Sequence, residues 1–291
     1  MRYSIILMAI SFMFSLSANA KEIHKERSIY RNVVITEKDQ IRCMRFETRR
    51  KKVSNQTCID LSDKQKLVFE YTQGILAGLA IQTKPSRVLI LGLGGGTLSN
   101  TINQISPTTE IIAVDIDPVV VKLAKRYFDY KENEQVKTVI QDGRVYVKRA
   151  LLKQEKFDWI ILDAFNGDYI PEHMMTKEFL SEVKGLLTNE GIISANTFSS
   201  SELYHYESVT YQNVFNQLKI FKAPTKGNRV IFACNCDKLT FPEKIPLTLE
   251  NHFSIYSMKY LNIVSQINDK VDWNLDSPML TDQYSPANLL K

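Results

Sequence analysis

The chain has 291 residues, of which 44% are apolar and 24% charged, with only 11 glycines and 9 prolines. Such a composition holds enough apolar material for a core and excludes a long disordered or collagen-like chain; the length suits one large α/β domain with an appendage, or two modest domains. The net charge of +5 is a mild excess and does not by itself make nucleic acid a partner.

The first twenty residues do not read as part of the fold. Arg2 is followed by an apolar run from Tyr3 to Leu16, and Ala18-Asn19-Ala20 stands before Lys21. A positive start, a short apolar stretch and an A-x-A site predict a secretory signal peptide over residues 1–20, cleaved after Ala20. The run is short beside the roughly 20 apolar residues of a spanning helix. The expectation is an exported chain, periplasmic or secreted, with no stable membrane insertion after cleavage; an uncleaved anchor is the other reading. Cleavage removes one charge, Arg2, and leaves +4.

From Ile29 to about Asp60, β-rich stretches such as Tyr30 to Ile35 and Ile41 to Phe46 alternate with polar breaks. This predicts a small antiparallel sheet and an N-terminal β domain over 21–66. The positive charge concentrates here, in Arg45, Arg49, Arg50, Lys51 and Lys52. A run of this kind reads as a solvated hairpin more readily than as a nucleic-acid patch, since no recognition helix, zinc finger or aromatic RNA-binding motif accompanies it. Cys43 and Cys58 can be joined in an oxidising compartment if their strands pair. Cys234 and Cys236 lie two apart on a predicted strand, so they share a face, and a direct bond between them would be strained. Neither pair has the spacing of zinc ligands, and no metal is expected.

Leu67 to Ile81 carries apolar residues at helical spacing. After Pro85 the pattern changes. Arg87 to Leu91 is a buried strand running into Gly92-Leu93-Gly94-Gly95-Gly96, and a helix starts at Thr97. Further strands are expected at Glu110 to Asp115, Val136 to Ile140, Phe157 to Leu162, Gly191 to Thr197 and Arg229 to Cys234, with a helix at Val119 to Tyr127. Strands alternating with helices predict an α/β class fold, a doubly wound and mostly parallel Rossmann-like sheet over 67–240. Residues 241–291 form a C-terminal extension, with Leu249 to Ile267 helical or mixed and Leu280 to Pro286 an ordered loop.

In a doubly wound sheet, ligands bind at the carboxyl ends of the strands, beside the switch in strand order. Four successive strand ends carry suitable residues. The turn of Gly92, Gly94, Gly95 and Gly96 lets a ligand approach the backbone, and the next helix offers unpaired N–H groups. Asp115 closes the second strand about 20 residues further on, where an acid accepts from ribose hydroxyls. Asp117 precedes Pro118 and reads as a helix cap. Asp142 and Gly143 follow the third strand, where a carboxylate can accept from an adenine amino group. Asp163, with Asn166 and Asp168 beyond it, follows the fourth strand and faces the reacting end of a ligand laid over the earlier ones.

From about Ile29 onward the chain resembles the spermidine synthase family, and more closely its bacterial spermidine-synthase-like branch. The resemblance rests on Val88 to Leu98 (VLILGLGGGTL), Ala113 to Pro118 (AVDIDP) and Phe157 to Asp168 (FDWIILDAFNGD), with Ile170 to His173 and Leu280 to Pro286 in support. It implies a Rossmann-like fold of the class I methyltransferase type behind a small β domain. The co-substrate would be decarboxylated S-adenosylmethionine or S-adenosylmethionine, and the partner a small amine or polyamine; no metal and no nucleic acid are implied, and homodimers are common in the family. Asp115 would bind ribose, Asp142 the adenine amine, and Asp163 would stand beside the attacking amine, with Asp168 near it and Tyr71 at the polyamine channel. Three positions depart from the pattern. Gly95 or Thr97 replaces an acid in the glycine turn, Asn166 replaces the second acid of a paired-aspartate motif, and Thr72-Gln73 replaces His-Glu after Tyr71. Aminopropyl transfer to an amine is the leading reading; methyl transfer on the same scaffold and a non-catalytic exported nucleoside- or polyamine-binding protein are the alternatives.

Overall fold

The computed structural model describes residues 20–47, 53–165, 169–225 and 227–286. Residues 1–19 of the expected signal peptide, the basic residues 49–52, and Asn166 and Asp168 therefore lie outside the described residues.

Four strands make the N-terminal sheet: β1 (Lys21–Arg27), β2 (Asn32–Lys38), β3 (Ile41–Glu47) and β4 (Val53–Asp60). They pair in chain order, each antiparallel to the next. Val33, Ile35, Met44 and Phe46 form one apolar face, which packs on Val120, Leu123 and Phe128 of the larger domain. Cys43 and Cys58 stand directly opposite each other on β3 and β4 and are disulfide-bonded.

The predicted helix over 67–81 is shorter in the structure. Leu67 is bridged to Ile59 of β4 and Phe69 is extended, so the chain becomes helical only at α1 (Glu70–Leu76) and finishes in a 3₁₀ turn, Ala77–Ala80. The second sheet then follows as β5 (Arg87–Leu91), α2 (Thr97–Ile105), β6 (Glu110–Asp115), α3 (Pro118–Tyr127), β7 (Val136–Ile140), α4 (Gly143–Leu152), β8 (Phe157–Leu162), α5 (Lys177–Gly185), β9 (Leu187–Phe198), α6 (Tyr204–Phe215), β10 (Lys219–Lys222) and β11 (Asn228–Cys234). The spatial order is β10-β11-β9-β8-β5-β6-β7; β7, β6, β5, β8 and β9 run parallel, and β11 is antiparallel to both of its neighbours. Val88, Leu89, Ile90 and Leu91 are all buried, as expected of a central parallel strand covered on both faces.

The extension contributes α7 (Leu247–Ile255) and α8 (Tyr260–Val264). Their Leu249, Phe253, Tyr260 and Ile263 join the core on one face of the large sheet. Cys234 and Cys236 correct the sequence reading. Strand β11 ends at Cys234, so side-chain alternation does not continue to residue 236, and the two cysteines are bonded with Cα atoms 5.2 Å apart. Among the described residues, no helix is long and apolar enough to cross a membrane, and no three His, Cys, Asp or Glu side chains gather as metal ligands.

Candidate active site

The chain proceeds from β5 to β6 and β7 on one side, then returns to place β8 on the other side of β5. This is the switch in strand order, and the loops leaving β5 and β8 separate there. Gly92 leaves β5 at φ +101°, and a Cβ on it would lie 2.2 Å from the Asp163 carbonyl oxygen. Only glycine lets these two strand ends meet so closely. A cleft of about 1070 Å³, including its open mouth, lies over this point. The strand ends form its floor, and Tyr30, Arg31, Phe46 and Gln56 of the N-terminal sheet form its roof.

Asp115 ends β6 and lines the cleft. One oxygen accepts from Leu93 N in the glycine turn at 3.0 Å, the other from Asp117 N at 2.9 Å. Burial raises its pKa from the ordinary aspartate value, and the two N–H donors oppose that shift. Asp117 caps α3 by accepting from Val119 N at 2.9 Å, in line with its place before Pro118. Opposite, the Arg31 guanidinium lies 4.3 Å above the Phe46 ring, and its Nε is buried without a hydrogen-bond partner among the described residues.

Asp142 and Gly143 line the next part of the cleft with Pro171, His173 and Met174. Asp142 caps α4 by accepting from Val145 N at 3.0 Å, and its other oxygen lies 3.0 Å from His173 Nε2. Gly143 is seated against Met174, whose methyl carbon would be 2.9 Å from an added Cβ.

At the far end, Asp163 follows β8. Its Oδ1 accepts from the Asn196 amide at 2.8 Å, and its Oδ2 accepts from the Tyr71 hydroxyl at 3.2 Å. Burial pushes the carboxyl up to about 7, against the lowering effect of both donors. The Tyr71 hydroxyl is itself held well above its usual value by burial and by the adjacent carboxylate. A narrow recess, about 360 Å³ counting its opening to solvent, shares Gln56, Tyr71, Gly94 and Asp163 with the main cleft and continues to Thr57, Phe69, Thr72 and Thr97. The arrangement offers a carboxylate able to hold or take a proton near neutral pH, gripped by two donors and flanked by two chambers.

The structure thus gathers Tyr71, Gly92, Gly94, Asp115, Asp142, Gly143 and Asp163 around one cleft, with Gly95 facing the smaller recess. Gly96 caps α2 from a left-handed conformation behind them. Gly95 sits beneath β4, and a Cβ on it would be 2.8 Å from the Thr57 hydroxyl. Sequence reasoning missed Asn196 and Arg31. Asn196 lies near the end of β9, so the same strand-end rule reaches it once amides are considered as well as acids. Arg31 sits just before β2 in a turn without a motif, and only the packing of the roof brings it to the cleft.

The sequence pattern of the spermine/spermidine synthase domain matches residues 69–241. A polyamine aminopropyltransferase from Vibrio vulnificus (strain CMCP6) is 42% identical over 277 residues, spanning 92% of this chain and 91% of its own. Among solved structures, a probable spermidine synthase from Corynebacterium glutamicum superposes with a TM-score of 0.64 at 20% identity, covering 79% of this chain and 86% of that one. A spermidine synthase in complex with the transition-state analogue AdoDATO superposes at 0.62 with 18% identity, covering 83% and 88% respectively. At such identities these two structures speak to the fold alone.

Proposed function

The chain belongs to the spermine/spermidine synthase family, and on that basis we propose that it transfers an aminopropyl group from decarboxylated S-adenosylmethionine to an amine. The observation that carries the reading is the Tyr71–Asp163–Asn196 cluster at the strand switch, at the other end of the cleft that Asp115 and Asp142 line. The nucleoside lies along the floor, its ribose diol donating to Asp115 and its adenine amino group to Asp142. The sulfonium end then reaches Asp163, with the acceptor amine entering by the smaller recess.

The amine nitrogen lone pair attacks the propyl carbon bound to sulfur. The carbon–sulfur bond breaks with its electron pair passing to sulfur, which leaves 5′-methylthioadenosine. The sulfonium is already a good leaving group, so the protein's task is to orient a neutral amine and receive its proton. Asp163 is suited to both, since a carboxylate that titrates near 7 accepts a proton and returns it to solvent at physiological pH. Tyr71 and Asn196 fix the carboxylate's direction.

Calorimetric titration of the chain from Lys21 onward with the decarboxylated and the carboxylated co-substrate tests this. Preference for the decarboxylated form, followed by release of 5′-methylthioadenosine with an amine, is the expected result. Preference for the carboxylated form points to methyl transfer, and binding of neither sinks both readings.

Export belongs to the same proposal. Its support is the Arg2, Tyr3 to Leu16 and Ala18-Asn19-Ala20 pattern, together with two disulfides of a kind that persist in oxidising compartments. Cell fractionation with mass analysis of the N-terminus should find a periplasmic or secreted chain starting at Lys21; a cytoplasmic chain retaining Arg2 would refute it. A homodimer rests on the family resemblance, and light scattering that returns a monomeric mass would remove it.

A further inference from the structure

The Leu280–Pro286 segment takes no part in the chemistry above, yet it reaches the nucleoside end of the cleft through one side chain. Arg144, two residues after Asp142, is 8% exposed. Its Nε and Nη2 donate to Glu182 of α5 at 3.0 Å each, and Nη1 and Nη2 donate to Asp282 at 2.6 and 2.7 Å. Nη1 also donates to the His173 carbonyl at 3.1 Å. A guanidinium has five N–H donors, and these five contacts use them all.

One of those contacts, with a second made by the His173 ring, ties together parts of the cleft wall that are distant in sequence. One wall segment is Asp142-Gly143, on the same turn of chain as Arg144. The other is Pro171 to Met174, held by the Arg144 bond to the His173 carbonyl and by the His173 ring on Asp142. Asp282 is in turn fixed from several sides. The Thr176 hydroxyl donates to its Oδ1 at 2.7 Å, its own N–H donates to Glu178 at 2.9 Å, and the neighbouring Leu280 is buried against Met175 and Leu203. Leu280 also accepts from Lys177 N and donates to Thr210 Oγ1.

We propose that Asp282 is a positioning residue for base recognition: by holding one arm of Arg144, it keeps Asp142 and the Pro171–Met174 segment at the spacing that reads the base. The proposal rests on the assignment of Asp142 to the adenine amino group. With Asp282 neutral, Nη1 loses a charged acceptor and is free to leave the His173 carbonyl. The wall then loses its register, while Asp163 and its partners, at the other end of the cleft, keep their geometry.

The probes are 5′-methylthioadenosine and 5′-methylthioinosine, which differ in the base group that Asp142 would read. The wild type should prefer the adenosine compound. Asp282→Asn should reduce that preference by about fivefold, the worth of one ordinary hydrogen bond, while kcat at saturating co-substrate stays within about twofold. Arg144→Lys, which keeps the charge but loses the fork, should weaken the preference in the same way and serves if Asp282→Asn folds poorly. Unchanged preference in both variants overturns the proposal, as does an equal loss of affinity for both nucleosides, which marks a general scaffold role. A wild type that binds both nucleosides equally refutes the Asp142 assignment and the proposal with it. A wild type that binds neither refutes the nucleoside reading as a whole.

Discussion

Replacing Asp163 by asparagine removes the proton acceptor while keeping its shape and its place between Tyr71 and Asn196. General-base assistance contributes roughly 10²–10⁴-fold in rate, so kcat should fall by about that factor. Nucleoside affinity, set at Asp115 and Asp142, should hold. The wild-type pH profile carries the same information. With the carboxyl at about 7, the ionised fraction drops to roughly one tenth at pH 6, and kcat/KM should fall about tenfold per unit below neutrality. Stability runs the other way. The folded-state pKa lies above the unfolded value of 3.8, so the contribution of Asp163 itself is fully present below about pH 4, is lost progressively up to about pH 7, and stays level above that. The shift of about three units sets a ceiling of about 4 kcal/mol, and the open mouth of the cleft reduces this to roughly 1–2 kcal/mol. The asparagine variant should therefore be the more stable protein at pH 8, with the gap closing near pH 4. The assay is 5′-methylthioadenosine release from pH 5.5 to 9, with urea unfolding at pH 4 and pH 8. A variant with more than a tenth of wild-type kcat, or a wild-type profile flat from pH 6 to 8, would show that Asp163 is not the acceptor.

Tyr71→Phe removes one of the two donors that lower the Asp163 pKa, so the acidic limb of the pH–rate profile should move to higher pH; an unmoved limb would detach Tyr71 from the carboxylate. Asp115→Ala should weaken calorimetric nucleoside binding by at least about tenfold, in keeping with the roughly 1.5–3 kcal/mol of a charged hydrogen bond, and retained affinity would remove Asp115 from the ribose site. Replacing Cys43 and Cys58 by serine opens a bond that closes a separation of 15 residues, which should cost about 3 kcal/mol in non-reducing urea titrations; two free thiols in a wild-type peptide digest would contradict the bond itself.

The strand pattern was readable because parallel strands at the centre of a sheet are buried on both faces, which writes runs such as Val88 to Leu91 into the sequence. One rule then assembled most of the site. A parallel sheet puts its carboxyl ends along one edge, so Asp115, Asp142 and Asp163 had to be neighbours despite the 48 positions that separate the first from the last. What escaped depended on contacts between domains or on where an element stops. Arg31 reaches the cleft because the roof sheet packs on α3, and no local pattern records that packing. The helix expected from Leu67 starts late because Leu67 is tied to Ile59 of β4. The cysteine pair at 234 and 236 was misjudged because alternation holds only while a strand continues, and β11 ends at the first of them. The Leu280–Pro286 motif was visible, but its link to Arg144 spans 138 positions and left no periodic trace.

The contact between Gly95 and Thr57 limits how this protein can change. Spermidine synthases carry an acid in the glycine turn where this chain has Gly95 or Thr97. At Gly95 even the first carbon of a new side chain would collide with Thr57 on the roof. A side chain at 95 therefore needs the Thr57 side chain to turn aside or shrink, or the sheet above it to lift. Positions 57 and 95 are coupled by contact, so an acid grafted at 95 has to be matched by a change on the strand above the turn.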